Sequence, residues 1–138
     1  MKIDQDYLKH LLDAFESAPG PVTDIQQLQA SGLDYRTDAF IFHAEILADQ
    51  GFLTRDDRKA GIGLQRGADG SIQWSVLPLR LTAAGHEFAE NLRNKEVWTT
   101  IKTSFRDASI STLASVAKQL AEGYAKQKME RLLGLGSS

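Results

Sequence analysis

The chain has 138 residues, 42% hydrophobic and 25% charged, which is room for one domain with an added helical arm. It has no cysteine, which excludes disulfides, thiolate zinc sites and thiol catalysis and fits a reducing, cytoplasmic setting. Net charge is −2 but uneven, −6 over residues 1–50 and +4 over residues 51–138, so a polyanion-facing side is sought in the later part.

The first segment, MKIDQDYLKHLLDAF, lacks the apolar core of a signal peptide, and none is expected. Asp4 to Ser17 reads as a helix, because Tyr7, Leu8, Leu11, Leu12 and Phe15 recur at helical spacing behind an Asp4 cap. Pro19-Gly20-Pro21 stops it. Thr23 or Asp24 caps a short helix, Ile25 to Ala30, ended by Gly32. A third helix is expected from Tyr35 to Gln50, with Gly51 just past its end, and Phe52 to Thr54 reads as a strand. Strand-like pieces follow near Gly61 to Arg66 and Ser71 to Leu77, joined across Asp69-Gly70. Ile72, Trp74 and Val76 alternate with polar residues, as a half-buried strand requires. Thr82 caps a fourth helix. Trp98, Ile101 and Phe105 form one stripe of a fifth. Ser109 or Ser111 caps a long last helix carrying Leu113, Val116, Ala117, Leu120 and Tyr124, continuing through Met129, Leu132 and Leu133.

A helix that ends at a glycine, enters a strand and is followed by a turn-rich ribbon and a capped helix has the layout of a winged helix. The expected class is therefore α+β: a helix-turn-helix plus β-hairpin wing over residues 1–94, with additional C-terminal helices over 95–138. FHAEILADQGFL (Phe42 to Leu53) and RLTAAGHEF (Arg80 to Phe88) resemble the recognition helix and wing strands of many bacterial winged-helix regulators. From the PGP turn through VWTTIK to the LLGL tail, nearly the whole chain resembles the YjcQ-like family. These are short bacterial and phage proteins carrying a domain of unknown function. That resemblance implies a winged-helix fold, a bacterial or prophage origin and no assigned activity.

The third helix has the wrong surface for reading DNA. Taking about 100° per residue from Phe40 puts Ala44, Leu47 and Gly51 on the core side, and Asp38, Ile41, Phe42, Glu45 and Asp49 on the opposite arc. That arc is acidic and apolar, whereas a helix in the major groove brings cations to phosphates and Arg, Lys, Asn or Gln to base edges. Two readings stay open. Either Ile41 and Phe42 pack under the wing or the C-terminal helices, or they form an apolar patch for a protein partner or a second copy. DNA contact through Arg55, Arg58, Lys59 and Arg66 of the wing remains the rival, diluted by Asp56, Asp57 and Asp69.

The last helix must bury its stripe. Packing on the first helix is the simplest answer, and pairing with another subunit through Leu120, Tyr124, Met129 and Leu132 is the alternative. Lys126, Lys128 and Arg131 suggest a membrane surface only weakly, since Glu122 and Glu130 oppose them. No apolar run approaches the roughly 18 residues of a membrane span.

No chemistry is legible. His86-Glu87 has Glu90 where a zinc-binding HExxH needs its second His. Gly61-Ile62-Gly63 is followed by Arg66 where a nucleotide loop needs a third Gly. His10 and His43 stand alone. The expectation is a non-enzymatic binding protein with no cofactor, no metal, no small-molecule substrate and no membrane partner. Protein interaction is the leading reading, and DNA-binding regulation the second.

Overall fold

A helix leaves its first backbone N–H groups without partners, and each helix here starts where a short polar side chain takes them up. α1 (Gln5–Glu16) starts at Asp4, whose carboxylate accepts the Tyr7 N–H. α2 (Ile25–Ala30) starts at Asp24, which accepts from Gln26 and Gln27. α3 (Asp38–Asp49) starts at Thr37, α4 (Ala83–Arg93) at Thr82, α5 (Lys95–Ser104) at Asn94 and α6 (Ile110–Leu132) at Ser109. These are the six helices of the computed structural model, which describes residues 1–134. With two small antiparallel sheets they make a mixed α+β protein.

α3 is shorter than its apolar pattern suggests. Asp34 accepts the Arg36 N–H and binds the guanidinium, holding residues 34–36 in a turn before Thr37. At the other end Gly51 adopts φ 75°, a left-handed turn that lets the Phe52 N–H reach Leu47 O at 2.9 Å. The chain then enters β1 (Leu53–Arg55), which pairs antiparallel with β4 (Leu79–Leu81). Asp24, not Thr23, caps α2, because Thr23 is used elsewhere: its N–H and C=O both bond Leu79 at 2.8 Å. β4 thus lies between Thr23 and β1.

β2 (Leu64–Arg66) and β3 (Ile72–Trp74) form a separate ribbon, with Leu64 opposite Trp74 and Arg66 opposite Ile72. Both strands are shorter than expected, and the alternation of β3 does not bury it. Ile72 and Val76 are exposed, at 45% and 47%, and only Trp74 is partly covered. The ribbon meets the body at a few side chains, Trp74 among them. The Trp74 ring sits edge-on to Tyr35 and Phe40, and its indole N–H donates to Tyr35 O at 3.0 Å. Trp74→Phe keeps most of the ring contact and loses that bond. It is expected to cost about 1 kcal/mol by chemical denaturation, with ribbon amide signals in an NMR spectrum moving most.

The core joins Leu8, Leu11, Leu12 and Phe15 of α1 to Phe40 and Leu47 of α3, and runs on through Phe88 and Leu92 into Val97, Ile101 and Leu113. α6 packs on α4 and α5 rather than on α1 as expected. Only its first turns are buried, at Ile110, Leu113 and Ala117. Phe105 falls just beyond α5, where its carbonyl, with that of Arg106, accepts the Gln5 side-chain amide at 2.8 and 3.4 Å. That bond ties the α5–α6 turn to α1.

Candidate protein interface

The buried arc of α3 is wider than one row. Phe40, Ile41, His43, Ala44 and Leu47 are all buried, an arc of roughly 160° at 100° per residue. Ile41 is 6% exposed and is therefore no part of an outward patch. Its burial fits the reading in which Ile41 packs within the protein, a cover that a helical projection centred on Phe40 does not show. His43 is 1% exposed. Its Nε2 accepts the Asp4 N–H at 2.9 Å, so a neutral ring carries its proton on Nδ1, which lies 2.6 Å from Ala39 O. A lone helical histidine thus stitches the start of α1 to α3.

Phe42 is half-buried. It sits edge-on to the His43 ring and lines a shallow cleft of about 310 Å³ with Met1, Ile3 and Ala108. The chain start and the α5–α6 turn therefore flank it. Asp38 and Asp49 are exposed. Glu45 is gripped by Arg66 through two bonds of 2.6 and 2.9 Å. The solvent arc of α3 is thus acidic, and the ribbon folds one of its cations onto it.

Basic residues near β1 and β4 also meet carboxylates. Arg55 bonds Asp57 at 2.7 Å, with 19% of its side chain exposed, and Arg80 lies 3.6 Å from Asp56. The Lys59 backbone N–H, with Arg55 beside it, holds the Asp57 carboxyl below the usual carboxylate range. Glu45 in the same way keeps the Arg66 guanidinium pKa raised. Arg58 and Lys59 are exposed in the loop after β1, Arg58 with φ 62°. Of the four arginines and lysines singled out from the sequence, Arg55 and Arg66 are bound to carboxylates, and Arg58 and Lys59 are exposed in the turn after β1.

An exposed apolar surface lies at the end of α6. At 1.5 Å per residue its 23 residues span about 34 Å, and burial ends well short of that. Leu120 and Tyr124 are half-buried against the core, while Met129, Leu132 and Leu133 are 57%, 73% and 62% exposed. Tyr124 and Leu120 face the body, and Met129 and Leu132 face away from it, so these four do not make one stripe. Nearer the body, α4 and α6 leave a cleft of about 320 Å³ lined by Phe52, Ala84, Phe88, Asn91 and Ala114, with the Glu87 carboxylate 3.9 Å from Lys118 at its edge. Phe52, which the sequence marks only as a strand residue, forms its floor by packing on Phe88 with ring centroids 5.2 Å apart.

Among the described residues no group of three or more His, Asp or Glu is placed to hold a metal ion, and no helix is long and apolar enough to cross a membrane. Fold and surface define a small mixed α+β protein that exposes apolar side chains at the end of α6, with others at Met1 and on the ribbon at Ile72 and Val76. The chain belongs to the family described as Hypothetical protein (DUF2513), a domain of unknown function, whose model matches residues 2–111. The matched segment runs from α1 to the start of α6. No curated protein and no solved structure matches the chain.

Proposed function

We propose that this protein is a non-enzymatic winged-helix module that binds another protein rather than DNA. The topology supports the winged helix. Thr23, between α1 and α2, pairs with β4, which pairs in turn with β1, and a ribbon joins β1 to β4. α2 and α3 then stand as the helix-turn-helix and β2–β3 as the wing. The YjcQ-like resemblance of the sequence points the same way.

The observation that carries the partner class is the surface of α3. In a DNA reader this helix lies between two rows of phosphates and its solvent arc supplies donors and cations. Here that arc holds Asp38, Phe42, Glu45 and Asp49 with no Lys or Arg, and the ribbon cation nearest it is already bonded to Glu45. Protein contact is favoured instead by the exposed apolar end of α6, since apolar patches rimmed by polar residues mark protein interfaces. Arg58 and Lys59, which lie in no ion pair among the described residues, keep a second reading open, backbone contact with DNA by the loop after β1.

The test is fluorescence anisotropy of a labelled mixed-sequence duplex titrated with the protein at low and then near-physiological salt. No binding is expected even at low salt. Micromolar binding that weakens steeply with salt would overturn the reading, and Arg58→Ala would then flatten the salt dependence.

A further inference from the structure

We propose that the partner is a second copy of this chain, paired antiparallel through α6 about a two-fold axis between Glu122 and Lys126. The inference rests on the reading of the chain as a protein-binding module and names the partner and its register.

Three features of α6 converge on it. Residues four apart on a helix form a row, and Lys118, Glu122, Lys126 and Glu130 form one with alternating sign. Among the described residues, Glu122, Lys126 and Glu130 have no ion-pair partner, and Lys118 has only the long contact to Glu87. A two-fold contact must be self-complementary. A parallel second copy would bring each charge against its own kind. An antiparallel copy centred between Glu122 and Lys126 sets Lys118 opposite the partner's Glu130 and Glu122 opposite the partner's Lys126, and the same pairs repeat across the axis.

The adjacent row is apolar: Ala121, Ala125, Met129 and Leu133. Its small residues lie near the proposed axis, where two helices approach most closely. Its large ones lie at the tip, where Met129 and Leu133 are exposed with Leu132 beside them. The charge register then fixes where that tip lands. Residues 129–133 of one copy come level with residues 115–119 of the other. That is the stretch of α6 bordering the cleft of about 320 Å³ over Phe52, Phe88 and Ala114. Ala114, Ser115 and Lys118 of that cleft occupy the same sector of the helix as the apolar row. Charge pairing and apolar fit, which share only Lys118, are met in one register.

The experiment is sedimentation equilibrium of the full chain over low to high micromolar concentration, with crosslinking of introduced cysteines in this cysteine-free sequence. The expected mass rises with concentration toward twice 15.2 kDa. Glu122→Lys sets Lys against the partner's Lys126 twice and is expected to raise the dissociation constant by about tenfold. Glu122→Lys with Lys126→Glu restores it. Ala125→Cys, near the axis, is expected to give a disulfide-linked dimer. Ser111→Cys, whose two copies would lie roughly 39 Å apart at 1.5 Å per residue, is not. Far-UV circular dichroism checks that each variant keeps its helices. A monomer at every concentration overturns the second copy as partner, and the DNA titration decides the module reading separately. A dimer that crosslinks at Ser111→Cys, or that the double charge swap fails to restore, overturns the antiparallel register.

Discussion

Gly85→Ala is expected to lower stability by about 3 kcal/mol, although alanine favours a helix over glycine by about 1 kcal/mol. Gly85 lies in the first turn of α4, where that helix crosses the entry to β1. A Cβ built there falls 2.1 Å from the Phe52 carbonyl oxygen and 2.9 Å from its carbon. That carbonyl cannot yield cheaply. It accepts the Thr82 N–H at 3.0 Å, and the Phe52 N–H is tied to Leu47 O at the end of α3. Relief would have to move α4 away from the sheet and open the contact of Phe52 with Phe88. Chemical denaturation of the purified variant reads the loss directly. An unchanged midpoint would mean that α4 and β1 are not packed this closely.

His43→Ala is expected to cost about 2–4 kcal/mol, combining a cavity in the core with the loss of a buried acceptor. The ring is fully enclosed, stacks at 4.8 Å from Tyr7, and accepts the Asp4 N–H that starts α1. Without it α1 loses a hydrogen bond to α3, and that N–H loses its partner. His43→Gln carries an amide oxygen near the position of Nε2 and is expected to recover about half of the loss. Comparing the two midpoints separates the hydrogen bond from the volume. Equal losses in both variants would show that the Asp4 bond contributes nothing.

Much of the fold was legible because its signals are local. Asp4 and Thr82 cap the helices assigned to them, Ser109 was one of two candidates for α6, and Gly51 sits where α3 must reverse its backbone before β1. Each is a contact within a few residues, and short polar residues before an apolar period encode it. The turn at Asp69-Gly70 likewise joins β2 to β3. What failed was non-local. Ile41 looks outward on an isolated helix and is buried because neighbours enclose α3 on two sides. Ile72 and Val76 carry the alternation of a half-buried strand, yet both are left in solvent. Trp74 and His43 are single residues in unremarkable context, and their partners, Tyr35 and Asp4, each lie 39 positions away.

The candidate site divides in the same way. That α3 presents carboxylates where a DNA reader presents cations was visible from residue spacing alone, since a helix projects its charges by period. That Arg66 is bonded to Glu45 required the ribbon to fold back over 21 residues, which no spacing rule predicts. The length and apolar period of α6 were also in the sequence. Which face of α6 is covered was decided by where α4 and α5 lie, and so Met129 and Leu132, not Leu120 and Tyr124, are left open to solvent. Where helices begin, where the chain turns and which sign each face carries can be read from residue order, because these depend on neighbours within a turn or two. Which apolar side chains are buried and which cations are free cannot, because burial and pairing depend on what distant segments bring to the same place.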